Sequence, residues 1–165
     1  MPREVIDGRY LHEHIEGFLN QATEDAYAFM VDYNGRLTNS TARTGERSMF
    51  GDFRCTLCSH RWKSGMVCTQ LWYSKAADTY RTQIHAQKCR RCNHYVEPDM
   101  DVDNYVQKVT KAISLWKGLR LREDPDEDQK QTPPHDTERC HGCLVGICRR
   151  KDGLPAHSIQ YRRRR

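Results

Sequence analysis

Apolar and polar positions alternate along this chain with two rhythms, one helical and one of strands. Leu11, Ile15, Phe18 and Ala22 recur at spacings of four, three and four, and Asp7 stands where it can cap a first turn, so an amphipathic helix is predicted over residues 7–22. Met66–Tyr73 and Tyr80–Gln87 are rich in β-branched and aromatic residues, which predicts two strands with the polar SKAAD between them turning a hairpin. The period of two puts Tyr80, Thr82, Ile84 and Ala86 on one face of the second strand and Arg81, Gln83, His85 and Gln87 on the other. Helical spacing returns with Val102, Tyr105, Val106, Val109, Ile113, Trp116 and Leu119, predicting a second helix over 102–119 with Asp99 or Asp101 near its N-terminus.

Between these elements the pattern lapses. Residues 32–49 (DYNGRLTNSTARTGERSM) are polar and turn-rich and read as a loop or linker. Residues 122–134 form an acidic linker closed by two prolines, and the tail from Arg149 has too little apolar content to fold alone. The expected organisation is a helix and polar linker over 1–49, one folded domain over 50–148 and a basic, disordered tail over 149–165.

Charge sharpens that division. The 165 residues sum to +5, but residues 149–165 carry seven basic side chains against Asp152, so residues 1–148 sum to −1. Within the body, residues 54–94 hold eight Lys or Arg and one acid, Asp78. The longest apolar run, AYAFMV at 26–31, is far short of the ~20 residues needed to span a bilayer, so no membrane insertion is expected. The N-terminus MPREVIDGRY lacks the apolar segment of a signal peptide. A cytoplasmic location is expected, with nuclear import open to the Arg-rich tail. In such a compartment thiols stay reduced, so eight cysteines point to metal rather than disulfides.

Three Cys-x-x-Cys pairs occur: Cys55/Cys58, Cys89/Cys92 and Cys140/Cys143. Two intervening residues let the chain form a tight knuckle in which both thiolates reach one ion. Zinc takes four such ligands tetrahedrally, and a structural site is closed by four protein donors. The first two pairs flank the predicted hairpin, the zinc-ribbon arrangement, and predict one site of Cys55, Cys58, Cys89 and Cys92. The third pair needs two more donors. Cys148 supplies one and His135 is the nearest candidate for the other, since His141 lies inside the knuckle and should point away. The second site is therefore predicted as His135, Cys140, Cys143 and Cys148, with an ordinary loop histidine as the alternative for His135. Cys68 falls on the strand face of Met66, Gln70 and Trp72, and reads as a small buried hydrophobe in preference to a ligand or reactive thiol.

Catalysis is not expected. HAQKCRRC at 85–92 has Gln87 where a zinc deaminase has its glutamate, and it lacks the proline. Neither pair beside the hairpin has the βαβ setting of a thioredoxin-like redox motif. A catalytic zinc keeps an open position, whereas four donors are in hand for each site. No Gly-rich phosphate loop or nucleophile elbow occurs, and no small-molecule substrate is expected.

CTLCSHRWKS at 55–64 has the form C-x-x-C-x-x-x-W-x-S. QKCRRC follows at 87–92, then the H-x4-C-x-x-C-x4-C ending of residues 135–148. Together these resemble the 3CxxC-type zinc-finger family, which includes receptor-transporting proteins, zygote-arrest proteins and small soluble fungal members, and the chain resembles the fungal members most. The resemblance covers about residues 50–148. It implies zinc on all seven cysteines of the motifs, and His135 matches the family's histidine position. Receptor-transporting proteins end in a membrane anchor, and no such segment is expected here. Residues 1–49 match no family pattern.

The expected fold is α+β: a zinc-ribbon-like β-hairpin core with two zinc sites, an N-terminal helix and a helix after the second Cys pair. The likeness to zygote-arrest proteins implies RNA binding. Arg81, His85, Lys88, Arg90 and Arg91 are the candidate contacts, because cations neutralise phosphate and the interleaved Trp72, Tyr73, Tyr80 and Tyr95 offer rings for stacking. A zinc held by four thiolates carries two negative charges and offsets part of that patch, and Trp62 and Trp116 are expected in the core. The alternative is a protein–protein adaptor in receptor or membrane-protein trafficking, since receptor escorts of the family engage protein partners.

Overall fold

The computed structural model describes residues 3–16, 31–118 and 135–148. Its centre is the predicted hairpin, β4 (Arg61–Ser74) and β5 (Thr79–His85), paired from Thr69↔Ile84 to Ser74↔Thr79. Around it stand β1 (Val5–Asp7), β2 (Asp32–Tyr33), β3 (Arg43–Arg54) and β8 (Asp99–Met100), while β6 (Gln87–Lys88) and β7 (Tyr95–Val96) form a separate ladder. The large sheet runs β1-β5-β4-β3-β8, with β2 joining β5 in parallel. With helices and antiparallel strands together, the fold is α+β, as expected.

The stretch 32–49 is not a loop or linker throughout: residues 43–49 open the twelve-residue strand β3. β3 pairs with β4 from Arg43↔Tyr73 to Arg54↔Arg61, with an irregularity between Met49 and Gly51. Thr44, Glu46 and Ser48 make one face polar, so no apolar alternation is visible. Gly45, which reads as a turn residue, instead admits the second helix: a Cβ there would stand 3.0 Å from the Trp116 ring.

That helix, α1 (Val102–Lys117), begins where Asp101 accepts from the Asn104 amide at 3.0 Å and stops at Gly118, in the left-handed region at φ 76°. Leu119 lies outside the described residues. Tyr105, Val106, Val109 and Ile113 of the predicted stripe are buried, and Val102 and Trp116 pack against the same core. They meet the sheet face of Val67, Leu71, Tyr73, Tyr80 and Ile84, whose members follow the period of two. Fully burying each such side chain contributes about 1.5–3 kcal/mol. Tyr105 keeps its hydroxyl satisfied in this core through Thr82 Oγ1 at 2.7 Å.

The predicted N-terminal helix starts later than expected. Asp7 does cap, accepting from the Arg9 amide at 2.8 Å, but the turn it caps is the 3-10 helix Gly8–Leu11, and Val5–Asp7 is strand. Residues 12–16 are helical, Leu11 and Ile15 are buried, and residues 17–22 lie outside the described residues. The linker of 122–134 and the tail of 149–165 also lie outside them.

The opposite sheet face carries Cys68, Gln70, Trp72, Arg81, Gln83 and His85. Residues 135–148, including the short helix α2 (His141–Leu144), cover one end of it. There Cys68 packs with Cys140, Cys143 and Cys148, and His85 stacks on His141 at 5.2 Å between ring centroids.

Candidate metal centres

The first two Cys pairs sit in turns of the same construction. Cys55 N donates to His60 O at 2.9 Å and Ser59 N to Cys55 O at 2.9 Å; Cys89 N donates to His94 O and Asn93 N to Cys89 O, both at 2.8 Å. Ser59 and Asn93 each hold φ at 59°, the left-handed position that closes the turn. The first turn joins β3 to β4 and the second joins β6 to β7, so each hairpin ends in a knuckle. Their thiols converge, with Cys55 Sγ 3.3 Å from Cys92 Sγ and Cys58 Sγ 3.5 Å from Cys89 Sγ. All four sulfurs lie within 4.8 Å of one another.

Backbone amides favour the thiolate form at each sulfur, although burial and the neighbouring thiols still leave Cys58 and Cys92 above their ordinary value. Cys58 N–H, with smaller help from Cys92 and Leu57, brings the Cys55 thiol down to about 7. Burial opposes the same change at Cys89, but the amides of Cys92 and Arg91 and its thiol neighbours outweigh it and hold that thiol below its ordinary value.

The third knuckle is wound differently. Leu144 N donates to Cys140 O, Val145 N to His141 O, and both Ile147 N and Cys148 N to Gly142 O, with Gly146 at φ 77°. His135 Nε2 approaches Cys143 Sγ at 3.2 Å and Cys148 Sγ at 3.7 Å, and with Cys140 these donors make a second group within 4.8 Å. His141 does point away: its Nδ1 meets His85 Nδ1 at 2.9 Å and its Nε2 meets Glu4 at 3.3 Å. Contacts with Cys143 and Cys148 push the Cys140 thiol well below its usual range, while Cys143 and Cys148 are driven up by Cys140. Thiolates this close repel, so the first to ionise keeps its neighbours protonated until a cation stands among them.

The donors fit zinc. Tetrahedral ligation at about 2.3 Å places sulfurs about 3.8 Å apart, close to the spacings found here. Each of the two clusters can hold one zinc ion. They are also joined. Gln87 bridges Cys140 in antiparallel fashion, Lys88 N donates to Arg139 O at 2.7 Å, His141 N donates to Ala86 O at 3.1 Å, and an Arg139 guanidinium nitrogen donates to Cys89 O at 3.0 Å.

Gln87 is a residue whose role the spacing did not reveal. Its side chain accepts from Trp62 Nε1 at 3.1 Å and donates to Ser64 Oγ at 3.0 Å. The Trp62 and Ser64 landmarks of the first motif thus tie β4 to the strand leading into the second knuckle. Trp62 also stacks on Phe53 at 4.8 Å and packs against the core, as expected. The position of Gln87, two residues before a Cys pair, was its only signal.

Gly142 is equally specific. A Cβ there would stand 2.5 Å from Cys68 Sγ and 2.6 Å from Cys68 Cβ. Gly142→Ala is expected to force the third knuckle off β4, at a cost of about 1–3 kcal/mol and with loss of zinc from the C-terminal cluster. Thermal melting with metal analysis checks this; an unchanged midpoint with the wild-type metal content retained would contradict it.

The candidate nucleic-acid contacts do not form one open face. His85 is 2% exposed, which corrects its placement there: its sheet face is the one the C-terminal knuckle covers. Arg81 is half-buried, stacked 4.7 Å over Trp72 and donating to Leu37 O at 2.8 Å. Lys88 is half-buried over the Tyr95 ring at 5.0 Å. Arg90 and Arg91 are exposed, Arg90 lying 3.5 Å from the Asp136 carboxylate.

Residues 48–146 match the family model of the 3CxxC zinc ribbon, described as a zinc-binding domain. The chain is 28% identical over 120 residues to human receptor-transporting protein 4, an alignment covering 62% of this chain and 48% of that protein. It is 24% identical over 122 residues to mouse receptor-transporting protein 3, covering 65% of this chain and 26% of that one. The chain thus spans half or less of the curated relatives it matches. No solved structure matches. Among the described residues, no helix is long and apolar enough to cross a membrane. Motif, knuckle geometry and family model agree, and the chain belongs to the 3CxxC zinc-ribbon family.

Proposed function

We propose that this chain is a non-catalytic, zinc-stabilised adaptor that binds a protein partner, in the trafficking of receptors or other membrane proteins. The observation that carries it is the closure of both clusters. Each gathers four protein donors, which leaves no coordination position for a substrate, so the assigned role of Cys55, Cys58, Cys89, Cys92, His135, Cys140, Cys143 and Cys148 is to hold structural zinc. The working unit is residues 50–148, with β1, β2 and the start of β3 completing its sheet, and it acts in the cytoplasm.

Two observations favour a protein partner. Arg81 and His85 are committed to contacts within the fold, so the basic stretch offers fewer free cations than its sequence suggests. Leu57 on the first knuckle, with Leu144 and Val145 on the third, stands exposed on the turns that carry the metal donors, and apolar side chains exposed among polar ones are surface for a protein partner to cover. The names of the relatives support the same reading. RNA contact is the second reading, favoured by the exposure of Arg54, Arg61, Lys63, Arg90 and Arg91 around the first two knuckles.

The test is proximity labelling by the full chain in cells, alongside binding of zinc-loaded protein to labelled single-stranded RNA across a salt series. Labelling dominated by membrane receptors, and lost with Leu57→Asp or Leu144→Asp, is the expected result. RNA binding with a steep salt slope that disappears in Arg90→Ala/Arg91→Ala, without receptor labelling, would overturn the adaptor reading.

A further inference from the structure

A third group of metal-binding side chains lies against the C-terminal cluster. Glu46 of β3, Cys68 of β4 and Cys148 bring one carboxylate oxygen and two sulfurs within 4.8 Å of one another. All three are buried, at 8%, 0% and 0% exposure. Neither Glu46 nor Cys68 belongs to the two zinc clusters, whereas Cys148 belongs to both this group and the second of them.

The sheet register explains the meeting. Ser48 pairs with Cys68 and Glu46 with Gln70, so Glu46 and Cys68 are diagonal neighbours on one face. The third knuckle closes over them so tightly that the Cys68 thiol fills the space a side chain at Gly142 would take. Two thiols and a carboxyl packed out of water repel once ionised, unless a proton or a cation stands between them. Sulfur has lone pairs enough to bridge two metal ions, and a donor set of two sulfurs and one oxygen suits a borderline or soft divalent cation.

We propose that Glu46, Cys68 and Cys148 form a further metal position for Zn2+ or Cd2+, bridged to the C-terminal zinc through the Cys148 sulfur. The Cys68 thiol releases its proton to solvent as the metal binds, and the two charges of the ion are met by the Cys68 thiolate and the Glu46 carboxylate. Three protein donors hold this ion less firmly than four, so the position fills last and empties first. The inference rests on the reading of the C-terminal cluster as a zinc site.

Native mass spectrometry of the full chain titrated with Zn2+, with 113Cd2+ substitution followed by NMR, tests it. The expected result is three ions per chain in the wild type, with one 113Cd resonance coupled to that of the C-terminal site through the shared sulfur. Cys68→Ser and Glu46→Gln, each checked for retained fold by circular dichroism, should hold two. Saturation of the wild type at two ions would overturn the bridged position alone, a proton then standing in the pocket. A third ion that survives both substitutions would overturn it as well. A wild type that saturates at one ion would overturn the C-terminal zinc reading and the bridged position with it.

Discussion

Stripping the bound zinc with a strong chelator is expected to unfold the sheet, not merely loosen its turns. Cys55 and Cys89 belong to the same buried cluster as Phe53, Ala86 and Val96, so the metal is a core element. Without it, sulfurs 3.3–3.5 Å apart have no cation between them, and Ser59 and Asn93 must hold a left-handed backbone with nothing to reward it. Structural zinc supplies on the order of 10 kcal/mol in apparent terms. A native domain has only about 5–15 kcal/mol in all, so the loss consumes most or all of the margin. The near-ultraviolet circular dichroism of Trp62, Trp72 and Trp116 should collapse on chelation and return with added zinc. A metal-free protein with its native spectrum and melting point would refute this.

His135→Ala is expected to empty the C-terminal zinc cluster, together with any ion bridged to it through Cys148, and to leave the one zinc of the first cluster while the sheet survives. The residue approaches Cys143 and Cys148 and no donor of the first cluster. His141 cannot replace it, because its ring is held between His85 and Glu4. The main core of β4, β5 and α1 lies on the other face of the sheet and is expected to keep its packing. Native mass spectrometry reads the count directly. Two zincs retained in His135→Ala would show that the fourth donor lies elsewhere, and a chain that unfolds outright would show that the second cluster carries more of the fold than its position implies.

Both strands of the hairpin and the second helix were legible because burial on one side imprints a period. Tyr80, Thr82, Ile84 and Ala86 are all fully buried, as their alternation indicated, and so are Tyr105, Val109 and Ile113 at helical spacing. The knuckles were legible because a zinc ion demands paired thiols at fixed spacing. β3 was not. The half of it at residues 43–49 is held by pairing with β4, and on its polar face only Glu46 is buried, so no apolar rhythm marks it. His85 was misplaced for a related reason. A period of two says which residues share a face but not what lies on it, and the cover for this face arrives from residues 135–148, far along the chain. Cys68 was correctly read as buried, but its neighbours Glu46 and Cys148 are brought to it only by the register of β3 and β4 and by the return of that same segment.

The seam between residues 86–89 and 139–141 has a consequence for the order in which the protein is made. A chain emerging from the ribosome can complete its first zinc site once Cys92 is out, but the second must wait for Cys148 to appear and travel back to β4. Through that interval the sheet face holding Cys68 and His85 is uncovered, with a nucleophilic thiol and an unfinished edge open to other chains. Biosynthesis therefore has a defined window of vulnerability, which closes only when the third knuckle docks on β4.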